Sequence, residues 1–136
     1  SSSEINNYIF KKFGSFEHFH YTTLLIDEFE KHINSDFNFN FFLNIDDKKL
    51  DLICYKKSSF IFYNSFDFSN DEDVLFYALF CFKQLKIDPE KVFMSCSGVI
   101  NLKSSLYILL YKYVRNIKII DPHEDESNNI LFSVKR

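Results

Sequence analysis

The sequence contains little glycine and proline. It has 2 Gly and 2 Pro in 136 residues, and no Trp. Collagen-like chains, Gly-rich linkers and loop-dominated secreted scaffolds need far more of these residues, so they are excluded. Cysteine is also scarce, and the 3 Cys residues are widely spaced within apolar segments. Because they show neither paired disulfide spacing nor close metal-ligand spacing, we interpret them as buried thiols in a reducing compartment.

An excess of one charge and a long apolar run are missing as well. Lys and Arg total 16 against 19 Asp and Glu, which gives a formal net charge of -3. No basic excess is therefore available to attract nucleic acid or an anionic membrane. The longest mostly apolar stretch, residues 74–82, is about half of the ~20 residues that a bilayer crossing requires. We predict a cytoplasmic protein with no nucleic-acid partner and no membrane partner.

The chain is rich in apolar and aromatic residues. Hydrophobic residues make up 46% of the sequence, with 18 Phe and 8 Tyr, which is enough for a packed core. Residues 1–34 are predicted to form a helix, a strand and a second helix. The strand covers Phe16–Tyr21, and Thr22 or Thr23 is the predicted N-cap of the second helix. This segment is interpreted as the remainder of an N-terminal lobe.

Residues 35–122 have the predicted order β-β-β-α-β-α-β. Apolar side chains at every second position of residues 37–45 alternate with Asn38, Asn40, Phe42 and Asn44, which is typical of a strand with one wetter face. Ser69 and Glu72 have capping-box spacing at the start of the first helix. A meander followed by two α/β crossovers is the order of a ribonuclease-H-like lobe on a mixed sheet, and two such lobes form an actin-like ATPase fold. Residues 123–136 are predicted as a polar tail that can add an edge strand at Ile130–Val134.

Several short motifs also carry a family resemblance. Asn64-Ser65-Phe66, the run from Asn70 to Tyr77 and the run from Gln84 to Lys91 resemble an uncharacterised family of bacterial domains of unknown function, mainly from Bacteroidetes. Ser97-Gly98 and the stretch from Leu110 to Asn116 continue the resemblance. It implies an actin-like ATPase fold with no established activity. The family's proteins are longer, so it also implies that most of an N-terminal lobe is absent from this chain.

Active actin-like ATPases bind phosphate tails with glycine-containing hairpins, because backbone amides must approach the phosphates closely. The matching hairpin here, residues 44–50, contains no glycine, and its Asp46-Asp47 pair would repel a phosphate tail. The turn around Ser97 and Gly98 keeps one of two expected glycines. Asp46, Ser97 and Gly98 are therefore degenerate cofactor-binding positions, and no catalytic residue is predicted.

Other chemistries find less support in the residues. A two-metal nuclease could take carboxylates from Asp46 and Asp73, but the fourth strand carries none. His18 and His20 would share one face of a strand, yet no third metal ligand accompanies them. Ser97 lacks the flanking glycines of a nucleophile elbow. We therefore predict no metal site and no cofactor.

The function that these patterns favour is a non-catalytic actin-like protein that acts through protein–protein contacts. A helix-strand-helix segment cannot bury its own apolar faces, so Ile5, Ile9, Leu25 and Phe29 are predicted to face a partner. That partner is another protein or the chain's own N-terminal lobe, and a homo-oligomer is possible. The alternative is an ATP-binding protein, with Mg²⁺, whose site is completed by an N-terminal lobe absent from this chain.

Overall fold

The computed structural model of the protein describes Glu4, Ile5, Asn7, Tyr8, Lys11 and residues 16–120. The described residues between 4 and 11 are helical. Residues 16–120 form the elements α1 (Phe16–Glu30), β1 (Phe39–Ile45), β2 (Lys49–Lys56), β3 (Ser59–Asp67), α2 (Asp71–Gln84), β4 (Val92–Gly98), α3 (Ser105–Tyr111) and β5 (Asn116–Ile119). A short 3-10 helix, Pro89–Lys91, connects α2 to β4.

The strands form one mixed sheet with the order β3-β2-β1-β4-β5. β1 pairs with β2, and β2 with β3, in antiparallel hairpins. β4 then joins β1 in parallel, and β5 joins β4 in parallel. A parallel neighbour requires a crossover, and α2 and α3 supply the two crossovers. The predicted meander with two α/β crossovers, and with it the ribonuclease-H-like fold, is confirmed.

Helices cover both faces of the sheet. Successive strand residues point to opposite faces, so the odd-numbered positions of β1, such as Phe41 and Leu43, enter one core. Val74 of α2 and Leu110 of α3 pack in that same core. α1 covers the other face, where the Phe29 ring stacks on Phe42 at a centroid distance of 4.8 Å and an interplanar angle of 7°. The central strands β1, β2 and β4 are therefore buried on both sides.

The strand predicted over Phe16–Tyr21 is wrong, because these residues are the first part of α1. The buried positions of α1 recur at helical spacing, and packing that stripe on the sheet outweighs the strand preference of the aromatic run. Thr22 and Thr23 lie in the middle of the helix, so neither is an N-cap. The Thr23 hydroxyl instead donates to the Phe19 carbonyl at 2.7 Å.

The start of α2 differs from the prediction by one residue. Asn70, not Ser69, is the N-cap, and its side chain accepts from the Asp73 amide at 2.9 Å. The Asp73 carboxylate accepts from the Ser69 amide at 2.8 Å. In the predicted capping box, the Glu72 carboxylate would accept from this amide. Asn is as good an N-cap as Ser, so the chain uses the later of two adjacent candidates. The predicted edge strand Ile130–Val134 lies outside the described residues.

Candidate functional site

The candidate site lies where β1 and β4 end. The two strands are parallel, so their carboxyl ends meet at one edge of the sheet, with Asn44 opposite Ser97 and Ile45 opposite Gly98. Asp46 follows directly after β1 and begins the turn to β2. The structure thus brings the predicted positions Asp46, Ser97 and Gly98 together. This edge is also where open α/β sheets place their ligands.

Gly98 has a structural reason to be glycine. Its φ is +90°, and a Cβ built on it would lie 2.0 Å from the carbonyl oxygen of Ile45. The next amide, that of Val99, donates to the same carbonyl at 2.7 Å. A side chain at this position would force β4 away from β1. The glycine is therefore required by the close approach of the two backbones, independently of any ligand.

A buried polar network lies on the α1 side of this edge. The Ser97 hydroxyl donates to Asn44 Oδ1 at 2.9 Å, and Asn44 Nδ2 donates to the Tyr21 hydroxyl at 3.1 Å. Asn44 Nδ2 is also 3.5 Å from a carboxylate oxygen of Asp51. The Tyr63 hydroxyl donates to the other Asp51 oxygen at 2.6 Å. Each member has a partner inside the network, which is how buried polar groups are normally stabilised.

The environment keeps the two phenol hydroxyls of this network protonated. Burial raises the pKa of Tyr63 well above its usual value, and the neighbouring Asp51 carboxylate raises it further. Burial is also the largest cause of a raised pKa at Tyr21. Both hydroxyls therefore stay protonated across the physiological range, and Tyr63 can act as a fixed donor to Asp51.

This network was not predicted from the sequence. The Asn residues that alternate with Phe in β1 are predicted to form a wetter face, but Asn40 and Asn44 are both buried. Asn40 exchanges hydrogen bonds with the backbone of Asn34, at 2.9 and 3.0 Å. The face is covered because α1 packs on it. The signal that could have revealed the network is that Asn44, Asp51 and Ser97 all lie at the same end of adjacent strands.

The backbone amides of the hairpin edge donate within the chain. The Asp46 amide donates to the Lys49 carbonyl at 2.9 Å, and the Asp47 amide donates to Asp46 Oδ1 at 2.8 Å. The Val99 amide donates to the Ile45 carbonyl. A phosphate needs several convergent N–H groups that are free to donate. These three amides are not free, and the adjacent carboxylates add repulsion.

A small pocket opens beside the network. Its volume is about 140 Å³, and Asp46, Lys49 and Asp51 contribute to its lining. Sites for drug-sized ligands usually measure ~300–1,000 Å³. The pocket is therefore too small to enclose a nucleotide by itself. Lys49 also lies 3.5 Å from Asp67, which partly neutralises its charge.

The predicted metal candidates do not come together. His18 and His20 lie on α1, and residues two apart on a helix point to different sides. The His20 ring instead packs edge-on against Phe16 at 4.1 Å. The Asp73 carboxylate accepts a hydrogen bond from the Ser69 amide at the start of α2. Across the described residues, no group of three His, Cys, Asp or Glu side chains could hold a metal ion.

The structure places three of the four predicted partner-facing residues inside the chain. Leu25 and Phe29 are buried beneath the sheet face that carries Phe42, and Ile5 belongs to the same cluster. The physical reason is that α1 closes its apolar stripe on the chain's own sheet, so these side chains are not available to a partner. Ile9 lies outside the described residues.

Other apolar residues face outward instead. On α1 these are Phe16 and Leu24, which are 69% and 61% exposed. On α2, Phe76 is 62% exposed and Phe80 is 50% exposed. Their two rings are stacked, with a distance of 6.1 Å between the ring centroids. We call the first pair the α1 outer face. The α2 outer face is the stripe of exposed residues on the side of α2 opposite the sheet, made of Glu72, Phe76, Phe80 and Lys83.

Comparison with solved structures supports the architecture. A protein from Bacteroides thetaiotaomicron VPI-5482, described as having an actin-like ATPase fold and unknown function, is 24% identical, with a TM-score of 0.63 over 73% of this chain. The match covers 38% of that protein, so this chain spans little more than a third of its length. At this identity the likeness shows the fold alone. The chain therefore has an actin-like ATPase fold, as predicted.

Two further likenesses are weaker. An Aquifex aeolicus member of the Ppx/GppA family is 12% identical, with a TM-score of 0.38 over 64% of this chain and 36% of that chain. A foamy viral protease-reverse transcriptase is 17% identical, with a TM-score of 0.36 over 79% of this chain and 26% of that chain. Such TM-scores support no conclusion about this chain.

A search of the curated proteins found no match. None of the described helices combines the length and the apolar character needed to cross a bilayer. One family model, described as a protein of unknown function (DUF3822), matches residues 1–117. This is most of the chain, and it agrees with the resemblance noted in the sequence. The chain therefore belongs to the DUF3822 family of proteins of unknown function.

Proposed function

We propose that this protein is a non-catalytic domain of actin-like fold that acts through protein–protein contacts. The observation that carries the proposal is the α2 outer face, where two stacked Phe rings are half or more exposed. Single exposed apolar residues are common, but a cluster of large ones flanked by charges is typical of an interaction site.

The outer surface of α3 extends the apolar character of this layer. α3 packs beside α2, and the Ser105 hydroxyl donates to an Asp71 carboxylate oxygen at 2.5 Å, where both helices begin. Ile108 and Tyr111 are each more than half exposed on α3. Two neighbouring helices therefore present large apolar side chains to solvent. A partner that covered them would remove this area from water.

The non-catalytic part of the proposal is supported at the hairpin edge. The amides of Asp46, Asp47 and Val99 donate within the chain, and Gly98 is explained by backbone packing. The polar side chains behind this edge also satisfy one another. These features are those of a structural network rather than of a phosphate site.

The proposal keeps the predicted organisation of the chain. Residues 35–122 are the C-terminal lobe of the fold, residues 1–34 are the remainder of a preceding lobe whose α1 packs on the sheet of residues 35–122, and residues 123–136 are a polar tail. The α1 outer face is then the surface that meets the preceding lobe or another protein. The proposed compartment is the cytoplasm, and no cofactor, nucleic acid or membrane surface is part of the proposal.

ATP binding is the alternative, and one observation favours it. Asp46, Ser97 and Gly98 meet at a single edge of the sheet, beside a small pocket. A second lobe facing this edge could enlarge the pocket and supply the missing phosphate donors. Asp46 could then hold Mg²⁺ through water. For this to happen, the hairpin amides would have to exchange their present partners for phosphate oxygens.

Quantitative affinity capture from cells that express the gene tests the protein-contact proposal. The full chain is compared with two double variants, F16S/L24S for the α1 outer face and F76S/F80S for the α2 outer face. V99S is the control, because Val99 is a strongly exposed apolar residue outside the helices. We expect one double variant to lose a stoichiometric, reciprocally captured protein that the wild type and V99S retain. Equal recovery by every variant would contradict the proposal.

A further inference from the structure

We propose that the α2 outer face binds the same face of a second copy of this chain, with the two α2 helices antiparallel. This inference rests on the proposed function, since it names the partner for one of the two outer faces. The face consists of an acidic residue near the start of α2, two Phe rings in the middle and a lysine near its end.

The positions on this face are self-complementary. If a two-fold axis passes beside residue 78, Phe76 of one copy lies opposite Phe80 of the other. The same axis places Asp73 opposite Lys83, and Glu72 then lies one position away from that same Lys83. Each acidic end therefore meets the basic end of the second helix. Isologous dimers need this kind of match, because one patch must complement itself.

The charges select the antiparallel arrangement over the parallel one. Parallel helices in register would place Glu72 beside Glu72 and Lys83 beside Lys83, which is repulsive at both ends. Glu72 and Lys83 are both exposed, and neither forms an ion pair within the described part of the chain. Both are therefore available to pair with the second copy.

The size of the apolar contact sets the expected strength. Four rings, each about half exposed, would bury roughly 100 Å² apiece, given the 150–250 Å² that an aromatic side chain can bury. The resulting apolar core of roughly 400 Å² is well below the ~1,200–2,000 Å² that a stable, specific interface buries, so rim residues must add to it. We therefore expect a weak dimer that forms at micromolar or higher concentrations.

Charge reversal tests the proposal directly. Sedimentation equilibrium of the full chain is measured for the wild type, for E72K, for K83E and for an equimolar mixture of the two variants. Each variant alone places like charges at both ends of the dimer, so its association should weaken by about tenfold. In the mixture, the E72K chain is basic at both ends of its α2 outer face, and the K83E chain is acidic at both ends. Opposite charges then meet at each end of the mixed dimer, so association should return.

Two controls separate the interface from folding. L102S removes an exposed apolar residue from the loop between β4 and α3 and should leave the dimer unchanged, whereas F80S should abolish it. Circular dichroism checks that each variant is folded, because Glu72 also favours the start of α2 through the helix dipole.

Three results would overturn the proposal: a monomeric wild type at every concentration, equal association by K83E, or a mixture that stays monomeric. If the wild type is monomeric but the capture experiment still loses a protein with F76S/F80S, this inference fails while the proposed function stands. If neither experiment finds a contact, both fail.

Discussion

The most informative single change is Gly98→Ala, because it separates a glycine kept for packing from one kept for a ligand. The added Cβ would lie 2.0 Å from the Ile45 carbonyl oxygen, whereas non-bonded contact requires roughly 3.5 Å. β4 must therefore move away from β1 by more than about 1 Å. The substitution changes one methyl group, so no charge or hydrogen-bonding group is altered.

The cost of this displacement has three parts. A non-glycine residue at a φ of +90° loses roughly 1–2 kcal/mol. The hydrogen bond from the Val99 amide to Ile45 is weakened, which costs about 0.5–1.5 kcal/mol. Overpacking between central strands typically costs another 1–3 kcal/mol. We expect a loss of about 3–5 kcal/mol, a large share of the 5–15 kcal/mol that stabilises a typical domain.

Urea unfolding followed by far-ultraviolet circular dichroism measures this loss. The matched control is Val99→Ala, the next residue along the chain, whose side chain is exposed and whose truncation should cost less than about 0.5 kcal/mol. A G98A protein that unfolds at the wild-type midpoint would refute the packing explanation. The glycine would then have to be explained by a ligand at the hairpin edge.

The remaining predictions concern buried groups. Among the described residues, the buried Ser95 hydroxyl has no hydrogen-bond partner, so S95A should raise the free energy of unfolding by about 1 kcal/mol in urea titration; a loss would show that the hydroxyl does make a hydrogen bond. Y63F should lower the free energy of unfolding by about 1–3 kcal/mol, because Asp51 loses a donor at 2.6 Å; an unchanged midpoint would mean that the bond contributes nothing. Burial raises the pKa of Cys54 and of Cys96 from 9.0 to about 12. Iodoacetamide should therefore modify neither thiol in the folded chain near pH 8, and rapid labelling read by mass spectrometry would contradict their burial. The raised values also mean that the folded state binds more protons above pH 9.0, so unfolding midpoints should fall between about pH 9 and 12; a flat profile would exclude this linkage.

The regular part of the fold could be predicted because its signals are local. Alternation over residues 37–45, polar turns between strands and the acidic cap of α2 each report a structure formed within a few residues. The order of those elements then limited the topology to few choices. The alternation over residues 37–45 agrees with the bounds of β1, Phe39–Ile45, to within two residues at each end.

The first turns of α1 were harder to predict, because they are stabilised by contacts with residues that are distant in the sequence. An aromatic run such as Phe16–Tyr21 suits a strand locally, yet Phe29 stacks on Phe42 and draws the whole segment into one helix. The same packing reverses the face that was expected to meet a partner. Leu25 is buried by the sheet, while Leu24 is exposed.

The candidate site was only partly visible in the sequence. Its three predicted positions do meet, because parallel pairing of β1 with β4 follows from the topology. The network that occupies the space behind them was not predicted. Asn44, Asp51 and Tyr63 belong to three different strands, and their partnership depends on register and on cover by α1. Neither is encoded in a short motif.

We expect this protein to act through contacts with other proteins and not by binding a nucleotide. A titration with Mg-ATP of the protein that the complete gene encodes, followed by thermal unfolding, tests this expectation. Binding at ten times the dissociation constant would stabilise the fold by ~1.4 kcal/mol through mass action. We predict no shift of the unfolding temperature up to millimolar Mg-ATP. A saturable rise that is lost in a D46A variant would contradict the claim and establish the hairpin edge as a nucleotide site.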